Sequence, residues 1–195
     1  MNDLGIDGDS ALARTMSKSS EWHTPLEYVR RIKRVLGQID LDPASCAQAN
    51  RFVEAARYYD RTQNGLRQPW QAKTLFLNPP YGRGEESRSN QDLWSCKLIE
   101  AYEAGTVEEA ILLINASTGT EWFQRLLERG YLTCLVKGRI RFHGQGKSEG
   151  GPTHDNAFVY FGHNEMLFCE VFHEVGCIIR REPAEKQPML WNEEA

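Results

Sequence analysis

No stretch of the 195-residue sequence approaches the roughly 18 consecutive apolar residues that a membrane-spanning helix needs. Met1 to Ser20 is polar and has no apolar h-region, so it does not read as a secretory signal. The cysteines, Cys46, Cys96, Cys134, Cys169 and Cys177, are odd in number and include no C-x-x-C pair, and no His/Cys group has zinc-ligand spacing. These absences argue against a membrane span, a disulfide framework and a structural zinc site, and they point to reduced thiols in a cytoplasmic setting. Positive charge is also short. The 23 Lys and Arg are outnumbered by 27 Asp and Glu, a formal net charge of −4, so the global cation excess of a general nucleic-acid binder is missing. Internal repeats and long low-complexity tracts are absent as well.

What is present is an ordinary globular composition, 41% hydrophobic and 26% charged, at a length that suits one domain. We expect a flexible polar arm over residues 1–19, a folded domain over 20–181 and a flexible acidic tail over 182–195. Charge is unevenly spread. Lys137, Arg139, Arg141, His143 and Lys147 fall in a segment without a single acid, a candidate basic patch on an acidic chain.

Strand and helix patterns alternate along the middle of the chain. Thr24-Pro25-Leu26-Glu27 reads as a capped helix start, with Thr24 as N-cap and Glu27 closing a capping box; Val29, Ile32 and Leu36 share a face and Gly37 ends the helix. A strand over Gln38–Leu41 runs into Asp42-Pro43, a helix is expected over Asn50–Tyr59, and a strand over Lys73–Leu77 runs into Asn78. Helices over Gln91–Glu103 and Thr120–Arg129 alternate with strands over Glu109–Asn115 and Tyr131–Val136. Gly138–Phe142, either continuing the preceding strand or forming a separate short one, a Gly-rich loop from His143 to His154, a strand over Ala157–Phe161, a helix after Asn164 and a strand over Cys177–Arg180 complete the pattern. Such alternation indicates an α/β sheet covered on both faces, with ligands beyond the carboxyl ends of its strands. Asp42, Asn78 and Ser117 fall at those ends. Trp94, Trp122 and Phe123 read as core, and Arg30, Arg31, Lys33 and Arg34 as a solvated helix face.

The feature that carries chemistry is Asn78-Pro79-Pro80-Tyr81. Two prolines stiffen the backbone, fix their own φ and push the preceding residue toward an extended form. Neither has an N–H, so the carbonyls stay available as acceptors beside the Asn78 side-chain oxygen, and Tyr81 adds a stacking face. An amino group on a planar ring needs both features. Its lone pair is delocalised, and acceptors on both amino hydrogens draw the nitrogen toward a tetrahedral, nucleophilic form while an aromatic face positions the ring. A strand-to-loop turn is the plainer reading of Asn and Pro. The tetrapeptide alone leaves open adenine, cytosine, RNA or a protein glutamine as target, and a base within a duplex must first be flipped out.

Around it, Glu21-Trp22-His23-Thr24-Pro25, Ile39-Asp40-Leu41-Asp42-Pro43-Ala44-Ser45, Gly138-Arg139-Ile140-Arg141-Phe142 and Val159-Tyr160-Phe161-Gly162 complete a set. Together these segments resemble the phage and prophage Dam-type DNA adenine-N6 methyltransferases over roughly Ser20 to Arg180. The resemblance implies a doubly wound, seven-stranded mixed sheet of the S-adenosylmethionine-dependent (Rossmann-like) type. It also implies S-adenosylmethionine as cofactor, DNA as partner and a bacterial host cytoplasm as setting. It assigns catalysis to Asn78, Pro79, Pro80 and Tyr81. It assigns cofactor contacts to Trp22, Thr24, Pro25, Asp40, Asp42, Pro43, Ala44, Asn64 and Leu66. The candidates for DNA contact are Arg83, Arg88, Arg139, Arg141, His143 and Lys147. Three departures stand out: Ala44-Ser45-Cys46 replaces the usual glycine-rich turn, which leaves a non-catalytic DNA-binding module as the alternative; the Asp42–Asn78 interval is short for two full strand–helix units, so one strand should be degenerate; and there is no obvious room for a separate recognition domain, which implies a short or relaxed target sequence.

Overall fold

Along Val107–Asn115, Ala110, Leu112 and Ile114 turn to one side, Ile111 and Leu113 to the other, and all five are buried. A strand apolar on both faces belongs at the centre of a sheet covered on both sides. The computed structural model, which describes residues 22–84, 87–144 and 154–182, has it there. The chain runs β1 (Trp22–His23), α1 (Leu26–Leu36), β2 (Leu41–Asp42), α2 (Ala47–Val53), β3 (Arg57–Tyr58), a 3-10 turn (Gly65–Arg67), β4 (Ala72–Leu77), α3 (Asn90–Glu103), β5 (Val107–Asn115), α4 (Glu121–Glu128), β6 (Leu132–Val136), β7 (His143–Gly144), β8 (Asn156–Phe161), α5 (Glu165–Phe172) and β9 (Gly176–Ile179).

Seven strands form one mixed sheet in the order β3-β2-β4-β5-β8-β6-β9. The first four are mutually parallel, with Leu41 opposite Leu75 and Leu75 opposite Ala110; β8 runs antiparallel to both β5 and β6, and β9 antiparallel to β6. From β2 the chain crosses outward to β3, then returns past β2 to β4 and continues the other way. The carboxyl ends of β2 and β4 therefore lie side by side where the winding reverses, the place where open α/β sheets bind ligands. One face is covered by α1 and α5 and the other by α3 and α4. On α1, Val29, Ile32, Val35 and Leu36 are all buried, each contributing about 1.5–3 kcal/mol by leaving water. Among the described residues, no helix is long and apolar enough to cross a membrane.

The structure corrects several local expectations. Pro25, not Thr24, occupies the N-cap of α1, its carbonyl accepting from Tyr28 and Val29, and no side chain caps the helix. The helix expected over Asn50–Tyr59 is α2, displaced to Ala47–Val53. The Asn50 amide ends it by accepting from Ala55 N at 2.8 Å and donating to Ala55 O at 3.1 Å, and Glu54 turns left-handed (φ 54°). The degenerate unit is the one between α2 and β4: β3 has two residues, and a single 3-10 turn stands in for a crossover helix. Gly138–Phe142 is not a strand, although Ile140 still points inward and Arg139 and Arg141 outward. The α1 cations lie on a solvated face, Arg31, Lys33 and Arg34 pairing with Glu174, Glu54 and Glu170. The expected arm, residues 1–19, and all but the first residue of the expected tail lie outside the described residues.

Candidate active site

A cavity of about 490 Å³ opens at the carboxyl ends of β2 and β4, a size that suits a small organic ligand. Three segments wall it: Asp42–Cys46 after β2, Asp60–Leu66 leading through the 3-10 turn, and Asn78–Tyr81 after β4, with His23 and Thr24 closing one side and Trp94 of α3 the other.

Buried β4 delivers Asn78, as Leu75, Phe76 and Leu77 anchor the strand and release the chain at its end. Asn78 Nδ2 donates to Thr24 Oγ1 at 3.2 Å. The hydroxyl expected to cap α1 is thus spent on orienting the Asn78 amide. Pro79 is buried and Pro80 exposed, and no described group donates to either carbonyl. The following turn is tied back to α3, where Asn90 Nδ2 donates to Tyr81 O at 3.3 Å and Asn90 N to Gly82 O at 3.0 Å. The Tyr81 ring meets Phe142 edge-on (centroids 6.0 Å apart, 75°) and His154 at 6.4 Å and 31°. Burial pushes the Tyr81 hydroxyl up to about 12, against a weaker opposing pull from the Asn156 amide, so it stays protonated at neutral pH.

Phe142 is brought over Tyr81 by a separate two-stranded ribbon. β1 and β7 pair antiparallel, Trp22 opposite Gly144 and His23 opposite His143. The ribbon ties the segment that supplies Thr24 to the one that supplies Phe142, residues more than a hundred positions apart in sequence.

Asp42 is only 3% exposed, and burial lifts its carboxyl to about 7. The Ser45 hydroxyl and the Ala44 amide, which donates to Asp42 Oδ1 at 3.2 Å, pull the other way. The Ser45 hydroxyl lies beside the Asp42 carboxyl without completing a hydrogen bond. Ser45 Oγ and Asn156 Oδ1 are the buried side-chain polar atoms left unsatisfied among the described residues. One lines the cavity and the other belongs to the side chain beside the Tyr81 hydroxyl, so the local deficit in hydrogen bonding sits where a ligand could make it up. Opposite them, a Cβ on Gly65 would meet Pro43 O at 1.9 Å; only glycine lets the 3-10 turn close onto the Asp42–Cys46 segment.

Of the sequence candidates, Thr24, Asp42, Pro43, Ala44, Asn64, Leu66, Asn78, Pro79, Pro80, Tyr81 and Arg83 line this one cavity. Asp40 does not. Its Oδ2 accepts from Lys73 N at 3.1 Å and it borders a different depression, at the opposite end of the strands. Pro25 is buried at the start of α1, and Ser117 is likewise outside the cavity wall. Arg88 and Arg139 do not line it either; they are ion-paired with Asp92 (2.7 Å) and Asp155 (3.0 Å). Arg141 is exposed on the segment leading to Phe142. Only the backbone of Trp22 and His143 is described, and Lys147 lies outside the described residues. The sequence reading missed His23, Ser45, Cys46, Tyr59, Asp60 and Trp94. Asp60 was hidden by the misplaced helix: with β3 recognised, it is the acid that follows a strand end. Cys46 Sγ caps α2 through Ala49 N (3.4 Å) and lies 3.6 Å from His23 Nε2.

No curated protein matches the chain. The family model described as DNA N-6-adenine-methyltransferase (Dam) matches residues 13–165, a span that takes in all three walls of the cavity and strands β1 to β8. The chain belongs to the DNA N-6-adenine-methyltransferase (Dam) family.

Proposed function

We propose that the cavity holds S-adenosylmethionine between the Asp42–Ser45 segment and the Asn64–Leu66 turn, and that Asn78, Pro79, Pro80 and Tyr81 present a flipped adenine to it. The family's reaction transfers a methyl group from S-adenosylmethionine to the N6 amino group of adenine in DNA. The donor set suits this cofactor. A buried carboxylate with an unsatisfied hydroxyl beside it matches a polar amino-acid end, and Leu66 with the Trp94 ring matches a flat nucleoside end. When bound, the cofactor supplies an electrophilic methyl group.

The chain's own residues prepare the acceptor. The Asn78 side-chain oxygen and the Pro79 carbonyl would accept the two amino hydrogens and draw the nitrogen lone pair out of conjugation with the ring. Thr24 fixes which way the Asn78 amide faces. Tyr81, with its hydroxyl pushed up to about 12, serves as a neutral stacking surface rather than a base. The amino group needs no base before transfer, because the methylated cation is acidic. Arg83 at the mouth and Arg141 beside Phe142 are the cations best placed for backbone phosphates. A short or relaxed target site is part of the proposal, and the chemistry suits a bacterial cytoplasm, where DNA and cofactor meet.

The observation that carries this reading is that Asn78–Tyr81 and the Asp42–Ser45 segment wall one cavity. Purified Asn78→Ala protein should lose DNA adenine methylation by orders of magnitude, measured by mass spectrometry of nucleosides, while still binding S-adenosylmethionine. Methylation at the wild-type rate by that variant would sink the assignment.

A further inference from the structure

The 3-10 turn ends with its carbonyls directed at α3. Lys97 Nζ donates to Leu66 O at 2.5 Å and Gln68 O at 2.6 Å, with Gly65 O at 3.5 Å, and sits 5.0 Å from the centroid of the Trp70 ring. Trp70 Nε1 also donates to Gly65 O, at 2.9 Å. A compact ammonium with three donors and no acceptor is suited to converging carbonyls, and the last carbonyls of any helical turn have no partner within it. Burial lowers the ammonium's pKa from the ordinary lysine range. The carbonyls it holds belong to a strained turn: Asn64, the residue that leads into it, is left-handed (φ 50°), and Gly65 packs directly against Pro43. Asn64 and Leu66 face the cavity from this turn, whereas Lys97 is not in the cavity wall. The same helix holds the Tyr81 carbonyl through Asn90.

We propose that Lys97 is the positioning residue of the cofactor side of the site. By gathering the Gly65, Leu66 and Gln68 carbonyls it holds the turn closed on Pro43, so that Asn64 and Leu66 are pre-set for the cofactor. This rests on the reading of the cavity as the S-adenosylmethionine site. Preorganisation of this kind acts on binding rather than on chemistry once the ligand is bound.

The test compares wild type, Lys97→Met, Lys97→Arg and Trp70→Phe as full chains. Dissociation constants for S-adenosylmethionine come from calorimetry, and kcat is measured at saturating cofactor on a DNA substrate. Lys97→Met should weaken cofactor binding about tenfold or more, the worth of one hydrogen bond from a charged donor. Its kcat at saturation should stay within about twofold of wild type, the pattern of a lost uniform-binding interaction. Lys97→Arg keeps the charge and should recover part of the affinity. Trp70→Phe, which removes the Gly65 bond and leaves a smaller ring beneath Lys97, should shift affinity in the same direction and by less. If Lys97→Met does not fold, the last two variants read the same split. A folded Lys97→Met with wild-type affinity overturns the proposal, and so does a fall in kcat with affinity intact. Wild-type protein that binds no cofactor overturns the functional reading as well, which separates the two failures.

Discussion

Asp42 is a carboxyl almost wholly withdrawn from water, and its behaviour with pH follows. In an unfolded chain it ionises near the usual aspartate value, about 3.9; in the fold, burial lifts it to about 7. An acid whose folded pKa lies above its unfolded one is held neutral by the fold, so the stability it contributes is complete below about pH 4 and lost as pH rises through about 7. Cofactor-free Asp42→Asn protein should therefore gain stability over wild type as pH goes from about 5 to about 8, by up to a few kcal/mol at about 1.4 kcal/mol per pK unit. Urea unfolding of both proteins at the two pH values measures it; a gap that does not change with pH would mean Asp42 is already ionised in the free fold. A ligand that donates hydrogen bonds to Asp42 would favour the charged form, and this is how a costly burial becomes useful at a binding site.

At the scale of elements, the site is an agreement between a sheet that the sequence announces and a ribbon that it does not. β4, β5 and β8 were legible because runs such as Leu75-Phe76-Leu77 and Ala110 to Ile114 are continuously apolar, and Asn78 to Tyr81 follows one of them. β3 was not. Arg57-Tyr58 is two residues of mixed polarity, and the Phe52-Val53-Ala55-Ala56 pattern before it mimics a longer helix, which the Asn50–Ala55 bonds cut short. Long-range pairing was equally hidden: nothing local in Trp22-His23 or His143-Gly144 says that they will meet. The same blindness misread Thr24, whose hydroxyl has a sound local use as a cap and a non-local one at Asn78. The ribbon's functional claim is testable through Phe142, the edge-on partner of Tyr81. Phe142→Ala should lower kcat/KM for DNA by up to about tenfold, the worth of one aromatic pair. Affinity for S-adenosylmethionine, measured by calorimetry, should be unchanged. Equal losses in both would mean that the ribbon holds the whole site together rather than the Tyr81 ring.

For the whole molecule, the question is how a chain of net charge −4 approaches a polyanion. Many of its cations are already spent. Arg31, Lys33 and Arg34 pair with acids on the α1 side, Arg88 with Asp92, Arg125 with the same Asp92 at 2.9 Å, and Arg139 with Asp155. Arg83 and Arg61 at the cavity mouth and Arg141 on the approach to Phe142 have no acid within ion-pair distance among the described residues. A cation already neutralised by a protein carboxylate adds little net charge to a phosphate and so displaces few of the cations condensed on the duplex, whereas an unpaired one displaces about one. Each phosphate contact steepens the fall of log affinity with log salt by about 0.9 on a duplex. Arg141→Ala should therefore weaken DNA binding and lower that slope by about one, while Arg88→Ala, already tied to Asp92, should leave the slope close to wild type. Fluorescence titrations of duplex DNA across a salt series separate the two. The opposite ranking would move the DNA path from the Phe142 side of the mouth to the α3 side, where Arg88 and Arg125 would have to give up Asp92 to reach it.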